Sequence, residues 1–128
     1  MKTLRTALGS TGEDMACELL MEAGQQILER NWRCGHLEID IITMDCHGLH
    51  FVEVKSRTAP VTADPLESVT AAKRRNMTKA ALEYVRKGAL RRGIPQDAEI
   101  FFDIITIIYN GGTADVRYYP QAFIPLYT

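Results

Sequence analysis

The spacing of apolar residues along the chain predicts two helices. The first extends over about residues 11–24, where apolar side chains recur every three or four positions. Ser10 and Glu13 stand at its start with the spacing of a capping box, in which each side chain bonds the other residue's backbone N–H. The apolar pattern is helical again over about residues 66–92, up to the helix-breaking sequence GIPQD.

Five further segments have the alternating or continuous apolar pattern of strands. They cover residues 26–34, 36–44, 49–57, 98–110 and 113–119. The segment DCHG at 45–48, which ends in Gly48, and the glycines at 111–112 predict hairpin turns, and the sequence TAPVTADP at 58–65 predicts a loop. The fourth strand, IFFDIITII at its centre, is almost continuously apolar, so we predict a central strand covered on both faces. The order helix, three strands, helix, two strands predicts an α/β or α+β sheet with a helix packed on it.

Length and composition are those of an ordinary globular protein. The 128 residues fit one domain, 1–128, and 46% of them are hydrophobic. The basic residues near the N-terminus are not followed by the apolar run of a signal peptide, and nowhere do about 18 apolar residues run together. Three cysteines without an export signal are typical of reduced thiols. We therefore expect a cytoplasmic protein that does not span a membrane.

Charge is distributed unevenly, although the whole chain has a net charge of only −1. Residues 71–92 contain eight basic residues and one acid, Glu83, which gives this segment +7 and leaves −8 for the rest. Such a segment favours binding to the phosphate backbone of a nucleic acid, independently of base sequence. The alternative is a solvated helix face without a partner. The basic residues are Lys73, Arg74, Arg75, Lys79, Arg86, Lys87, Arg91 and Arg92.

The strand LHFVEVKSR has an acid and a base inside its apolar run. Because side chains alternate between the two faces of a strand, Glu53 and Lys55 share one face. The same alternation in the preceding strand places Asp40 on one face and both Ile39 and Ile41 on the other. A hairpin folded at the predicted turn brings Asp40 and Glu53 onto neighbouring strands, near enough to share a ligand.

Two carboxylates held this close repel each other unless a proton or a cation lies between them. Mg²⁺ is usually bound by one or two carboxylates and several waters. Lys55 beside the pair would position an attacking water or meet the charge of a phosphate. Asp40, Glu53 and Lys55 are therefore suited to phosphodiester hydrolysis. The alternative for Glu53 and Lys55 is a surface salt bridge, worth about 0–1 kcal/mol.

Motifs along nearly the whole chain resemble those of a known family. EID at 38–40 followed by FVEVK at 51–55 resembles the D…(D/E)-x-K signature of the restriction-endonuclease-like superfamily. The chain more closely resembles the small bacterial YraN-like family, which is similar in fold to archaeal Holliday junction resolvases. Leu37 departs from the family pattern, in which glycine usually precedes EID. The other matching segments are GE at 12–13, RNWR at 30–33, FVEVKSR at 51–57, Lys73 and FFDII at 101–105.

The resemblance implies an α/β fold with a restriction-endonuclease-like core of α-β-β-β-α-β order, in which helices flank a mixed central sheet. It also implies DNA cleavage that depends on Mg²⁺ or Mn²⁺. Asp40 and Glu53 match the metal ligands, and Lys55 matches the catalytic lysine. Glu13 matches a further acid that completes the site in resolvase-like members. Those relatives act as symmetric dimers, so a homodimer is expected by analogy.

Three residues have structural explanations as well. Glu13 could cap its own helix. Lys73 could lay its stem along apolar surface with its amine in water, instead of facing a phosphate. Asp103 interrupts an apolar strand, and a buried acid needs a partner, for which we expect an arginine such as Arg33.

A second metal hypothesis comes from cysteines and histidines, which are zinc ligands. Five of them lie within 17 positions, but their spacings differ from the paired Cys-x-x-Cys of structural zinc sites. We therefore favour the carboxylate site. The five residues are Cys34, His36, Cys46, His47 and His50.

The sequence thus predicts a metal-dependent endonuclease acting on DNA, with branched or Holliday junction DNA as a candidate substrate. Asp40, Glu53 and Glu13 would hold Mg²⁺ or Mn²⁺, and the 58–65 loop would close over the DNA backbone. The alternative is a nucleic-acid-binding module with the same fold and little or no turnover, and RNA stays open as a substrate. The residues expected to contact DNA are Arg57, Lys73, Arg74, Arg75 and Lys79.

Overall fold

The computed structural model describes residues 2–6, 9–66, 69–88, 92–95 and 97–125. These residues form a six-stranded sheet flanked by helices. The helices are α1 (Gly12–Glu22) and α2 (Ala71–Glu83), and α2 continues into a π-helical turn, Tyr84–Gly88. The strands are β1 (Lys2–Thr6), β2 (Gln26–Cys34), β3 (Leu37–Met44), β4 (Leu49–Thr58), β5 (Ile100–Asn110) and β6 (Thr113–Phe123).

The sheet is mixed, as predicted. Its strand order is β1-β6-β5-β4-β3-β2, in which β4 and β5 are parallel and all other neighbours are antiparallel. The parallel pair arises because α2 crosses over between β4 and β5, whereas tight turns connect β3 to β4 and β5 to β6. The apolar strand β5 lies between β4 and β6, which confirms its prediction as a central strand.

Each face of the sheet is covered by one helix. On the α2 face, Phe51 and Ile104 pack with Tyr84, and on the α1 face Val52 packs with Leu20. Burying side chains of this size stabilises the fold by about 1.5–3 kcal/mol each. The alternation predicted for β4 is confirmed, because consecutive residues of this strand pack against opposite helices. None of the helices in the described ranges is long and apolar enough to cross a membrane.

The predicted capping box of α1 is wrong by one residue. Thr11 is the N-cap; its side chain accepts from the Asp14 N–H at 3.1 Å, and Asp14 accepts from the Thr11 N–H at 3.2 Å. The helix therefore starts one residue later than Ser10 would require, and Asp14 takes the capping position assigned to Glu13. As a consequence, Glu13 is available for other contacts.

The second helix and the first strand also differ from expectation. Thr70 caps α2 by accepting from the Lys73 N–H at 3.1 Å, so the helix starts after the predicted position at residue 66. Residues 67–68 and 89–91 of the predicted helix lie outside the described residues. β1 was not predicted at all, because the sequence KTLRT has a single large apolar residue, Leu4, which is exposed.

The prediction that Ile39 and Ile41 share a face is wrong. Ile39 packs in the cluster under α2, whereas Ile41 packs in the cluster under α1. On the neighbouring strand β2, the paired residues Trp32 and Arg30 flank Asn31, whose φ of 52° lies in the left-handed region. The two strands therefore change face together at this point, which is next to Asp40.

Candidate active site

Asp40 and Glu53 are neighbours at the end of the β3–β4 ladder. The antiparallel pairing of these strands runs from Met44 to Ile41 on β3 and stops there, so that Asp40 and Glu53 are the next residues on the two strands. Oδ2 of Asp40 accepts a hydrogen bond from the backbone N–H of Val54 at 2.9 Å. The two carboxylates line a cleft of about 220 Å³. The cleft is also lined by Glu38, Ile39, Val52, Lys73 and Met77.

The cleft disfavours a further negative charge. Burial raises the pKa of Asp40, and the nearby charges of Glu53, Glu38 and Glu13 raise it further, against the opposing effect of the hydrogen bond from Val54. An acid whose pKa is raised by burial and by other carboxylates is stabilised by a proton or by a cation. This is the electrostatic environment that a cation site requires.

Only one of the two oxygens of the Glu53 carboxylate is paired with another described residue. Its Oε1 contacts Nζ of Lys73, which reaches it from the first turn of α2. Its Oε2 is buried and has no hydrogen-bond partner within the described ranges. Only 13% of the Glu53 side chain is exposed, so this oxygen lacks the compensation that water would give. Lys73 thus neutralises Glu53, so its amine is paired with an acid and is not simply placed in water, as the structural alternative had it.

Lys55 lies on the same face of β4, beyond Glu53, and is only 7% exposed. Its Nζ donates to the backbone carbonyl of Pro65 at 2.6 Å. Burial lowers the pKa of Lys55, and the positive charges of Lys73 and Arg57 lower it further, while Glu53 opposes them. The amine is therefore held in place and gives up its proton more readily than an exposed lysine.

Glu13, the third acid of the predicted site, lies in α1. Its Oε1 accepts hydrogen bonds from Nε of Arg30 at 2.8 Å and from Nδ2 of Asn31 at 3.0 Å. Among the residues that the structure describes, no three His, Cys, Asp or Glu side chains lie together closely enough to hold a metal ion. Neither the zinc cluster nor a set of three carboxylates is therefore assembled in that part of the chain, and the role of Glu13 as a ligand stays a prediction.

Part of the +7 charge of residues 71–92 is compensated by contacts within the protein. Arg74 lies over the ring of Phe123 at 5.6 Å, a cation–π contact that places it away from the cleft. Neither Arg75 nor Lys79 forms an ion pair with any other described residue. Several others are neutralised: Arg86 and Lys87 pair with Glu83, and Arg92 pairs with Glu29, while Arg91 lies outside the described residues.

Asp103 is a structural acid, but its partners differ from the prediction. Its Oδ2 accepts from Nδ1 of His50 at 2.7 Å and from the hydroxyl of Tyr118, and its Oδ1 accepts from the Gln121 N–H at 2.9 Å. The expected partner, Arg33, is exposed and lies 3.6 Å from a carboxylate oxygen of Glu38. His50 thus belongs to this hydrogen-bonded cluster, which the sequence pattern did not reveal because its members come from separate strands.

Sequence reasoning also missed the residues that hold Glu13. Arg30 contacts Glu13 and, through its Nη2, Asp14 at 2.8 Å. The backbone of Asn31 is left-handed, and the side chain of this residue reaches the same carboxylate. The signal was present in the segment RNWR, since asparagine adopts positive φ more easily than most other residues.

Comparisons with known proteins identify a family and a solved structure to which this chain is similar. The model of the Uncharacterised protein family UPF0102 matches residues 12–107. The chain is 40% identical over 117 residues to a UPF0102 protein of Geobacter metallireducens, covering 91% of this chain and 92% of that one. It is 36% identical over 118 residues to a UPF0102 protein of Bacteroides thetaiotaomicron, covering 92% and 93%. Among solved structures, SfsA of Pyrococcus furiosus in complex with Ca²⁺ matches with a TM-score of 0.34 and 17% identity, covering 84% of this chain and 59% of that one.

Proposed function

The chain belongs to the Uncharacterised protein family UPF0102, the family that its motifs resemble, and from its site we propose a divalent-metal-dependent endonuclease that hydrolyses DNA. One observation carries the proposal. Asp40 and Glu53 meet where the β3–β4 ladder ends, and Lys55 is held two residues further along the same face of β4. Paired carboxylates with a lysine beside them suit the in-line displacement at a phosphodiester.

The donor set fits Mg²⁺ or Mn²⁺. Both ions prefer carboxylate oxygens, and Mg²⁺ usually needs no more than one or two of them. Oε2 of Glu53 has no hydrogen-bond partner among the described residues, and the pKa of Asp40 is raised; both features favour a positive charge between these side chains. Asp40 and Glu53 would hold the ion, with Glu13 as the further candidate. When bound, the ion would supply positive charge to the phosphate oxygens and favour the deprotonation of water.

The two lysines would act on either side of the phosphate. The buried amine of Lys55 would position the attacking water, and burial strengthens its electrostatic effect because little solvent screens it. Lys73 would leave Glu53 and contact a phosphate oxygen once another positive charge neutralises that carboxylate. Its 40% exposed side chain leaves room for this movement.

DNA contacts follow from the remaining basic residues. Arg75 and Lys79 extend from α2, whose first turn carries Lys73, and Arg57 is exposed beyond Lys55 on β4. Such contacts give an affinity that depends on salt and on backbone shape, not on base sequence. Arg74, which is held over Phe123, would contribute less. Branched or Holliday junction DNA and a homodimer stay predictions, and light scattering with and without junction DNA tests the dimer.

Cleavage of a panel of duplex, nicked, flapped and four-way DNA in Mg²⁺ or Mn²⁺ tests the proposal. We expect Asp40→Asn and Glu53→Gln to lower the cleavage rate by about 100-fold or more, since each removes a charge that would hold the ion. Glu38→Gln is the matched control, because Glu38 lines the same cleft without joining the pair; its rate should stay within about threefold of wild type. Cleavage that is unchanged in both Asp40→Asn and Glu53→Gln would falsify the assignment.

A nucleic-acid-binding module without turnover is the second candidate. The contact between Lys73 and Glu53 favours it, because a permanently neutralised carboxylate would not hold a metal ion. Titration with Mn²⁺, followed by calorimetry, separates the two candidates. Binding in the millimolar range or tighter that is lost in Asp40→Asn supports the nuclease. DNA binding with no Mn²⁺ binding supports the module.

A further inference from the structure

A second cavity lies beside Lys55, on the sheet face that α2 also covers. Its volume is about 460 Å³, within the range of about 300–1,000 Å³ that small-molecule sites occupy. Lys55, Thr106 and Arg117 form one row of its floor, since they pair in register across β4, β5 and β6. The segment from Val61 to Pro65 forms the opposite wall and is fixed to the floor by the Lys55–Pro65 hydrogen bond.

The lining combines positive charge with apolar and aromatic surface. Lys55, Arg57 and Arg117 give three cations, against a single lining acid, Asp64. Arg117 also pairs with Asp115, which lies outside the lining, at 3.1 Å, so Lys55 and Arg57 supply most of the positive charge of the lining. Ile108, Val61 and the ring of Tyr119 supply the apolar part. A ligand that suits this lining has an anionic group joined to a flat, largely apolar ring, which is the chemistry of a nucleotide.

Thr106 indicates that the floor is built to meet a polar ligand. This residue is 6% exposed, and its Oγ1 is buried without a hydrogen-bond partner in the part of the chain that the structure describes. A buried hydroxyl costs free energy unless it is paired, and a polar atom of a ligand in the cavity would pair it. Lys55, 7% exposed, adds a buried charge next to it on the same floor.

The position of the cavity sets its relation to the cleavage site. Lys55 lines the cavity and follows Glu53 by two residues on one face of β4, so a strand whose phosphate lies at Glu53 would bring its adjacent nucleotide to the cavity. A base that is paired and stacked in a duplex must first be unstacked and unpaired, at a cost of about a few kcal/mol, whereas an unpaired base enters a recess at little cost. The cavity would thus select strands by the presence of an unpaired nucleotide.

We propose that this cavity binds one unpaired nucleotide of a DNA strand, adjacent to the phosphate at Asp40 and Glu53. The inference depends on the proposed function and narrows its substrate to DNA with an unpaired nucleotide, such as a flap, a gap or a junction branch point. The phosphate of that nucleotide would meet Lys55 and Arg117, and its base would lie against Tyr119.

Binding measured by fluorescence anisotropy, in Ca²⁺ and without Mg²⁺ or Mn²⁺, tests the inference. The probes are a fully paired duplex, the same duplex with a short single-stranded flap carrying 2-aminopurine, and free dAMP. Wild-type protein should bind the flapped DNA about tenfold more tightly than the duplex, as expected for stacking of one base on an aromatic ring. The 2-aminopurine fluorescence should change on binding, and dAMP should bind far more weakly than the flapped strand.

Ala63→Trp is the decisive variant, because Ala63 is exposed and a larger side chain there fills the cavity without disturbing the core. It should abolish the preference for the flap while leaving duplex affinity within about twofold. Met21→Trp is the matched control: Met21 is 54% exposed on α1, remote from the cavity, and its variant should keep the preference. Tyr119→Leu, which keeps apolar bulk, should weaken flap binding by about fivefold or more.

The outcomes separate this inference from the proposed function. Equal binding of flap and duplex by wild type, or a preference that survives Ala63→Trp, overturns the cavity assignment even if Asp40-dependent cleavage is intact. Binding of dAMP as tight as that of the flapped strand also overturns it and makes the cavity a site for free nucleotides. If no DNA is bound and none is cleaved, the proposed function fails together with the inference.

Discussion

Strand β4 passes through two buried polar clusters that differ in how well the charges of their groups are compensated. In the first, defined by His50 and Asp103, both oxygens of the Asp103 carboxylate accept hydrogen bonds. Nε2 of His50 is within ion-pair distance of Asp45, 3.0 Å from its Oδ2, but makes no hydrogen bond to any described residue. In the second, defined by Asp40 and Glu53, one carboxylate oxygen has no partner within the described residues. The two clusters are three residues apart along the strand.

The pKa shifts express the same difference. Burial lowers the pKa of His50, but the hydrogen bonds and charges of Asp103 and Asp45 outweigh this effect and raise it overall, so the first cluster favours the charge it contains. This contribution to stability is present below the ordinary value of 6.5 and is lost as the pH rises through the folded-state pKa. In the second cluster, burial raises the pKa of Asp40 and lowers that of Lys55, so both groups are driven toward neutrality.

This comparison separates buried charges that stabilise the fold from buried charges that a bound ligand would stabilise. A cluster whose members compensate each other's charge stabilises its own charged groups and acts as part of the core. A cluster whose charges are destabilised by their surroundings lowers the stability of the fold. Binding sites and reactive sites commonly have this property. The following predictions test this contrast, from the largest expected effect to the smallest.

The largest effect is expected from the same substitution made in both clusters. Asp103→Asn should lower the free energy of unfolding by about 3 kcal/mol, because it removes the buried charge that pairs with Nδ1 of His50 and leaves only Asp45 to compensate this side chain. Asp40→Asn should leave the free energy of unfolding unchanged or raise it at pH 7.5. The reason is that a raised folded-state pKa makes the ionised acid a net cost above that pKa, and the amide oxygen still accepts from Val54.

Urea denaturation followed by circular dichroism measures both variants, and the cleavage assay complements it. Asp40→Asn should lose cleavage while staying folded, whereas Asp103→Asn should keep cleavage at temperatures where it is folded. The contrast between the clusters breaks down if Asp40→Asn destabilises the protein as much as Asp103→Asn does.

A smaller effect is expected at the start of α1. Thr11→Ala should lower the free energy of unfolding by about 1 kcal/mol, because it removes the side chain that accepts from the Asp14 N–H. Ser10→Ala is the matched control and should change it by less than about 0.5 kcal/mol. An equal decrease in the free energy of unfolding in both variants would contradict Thr11 as the N-cap and support the capping box of Ser10 and Glu13.

The smallest effect is expected for Lys73. Lys73→Met removes the amine that competes for Glu53 but keeps the length of the side chain, so Ca²⁺ should bind about two- to fivefold more tightly in the absence of DNA. Lys79→Met is the control on the same helix and should leave the affinity unchanged. Isothermal titration calorimetry measures both, and weaker Ca²⁺ binding by Lys73→Met would show that the lysine does not compete with the ion.

Much of the fold could be predicted from the sequence because it depends on patterns within short segments. Alternation in β4 placed Glu53 and Lys55 on one face, and the continuous apolar run of β5 predicted a central strand. The turn at residues 45–48 set the register that brings Asp40 opposite Glu53. These features depend on residues a few positions apart, so the periodicity of the chain is sufficient to determine them.

The errors share a cause, which is that tertiary contacts overrode local pattern. Strand alternation failed at Ile39, where the left-handed Asn31 on the neighbouring strand turns both strands. Arginine was the expected partner of Asp103, whereas His50 and Tyr118 reach it from β4 and β6. The charge of residues 71–92 favoured a basic segment that binds phosphates, but acids from other elements neutralise part of it.

The sequence by itself determined the order of the elements from α1 onward, the register of the β3–β4 hairpin and the identity of the paired acids. Only the tertiary structure decided how those acids are paired: Lys73 on Glu53, Val54 on Asp40, and Arg30 and Asn31 on Glu13. It also decided that a cavity opens beside Lys55. The physical reason is that hydrophobic periodicity acts within a segment, whereas the pairing and burial of a charge depend on groups brought together from different segments.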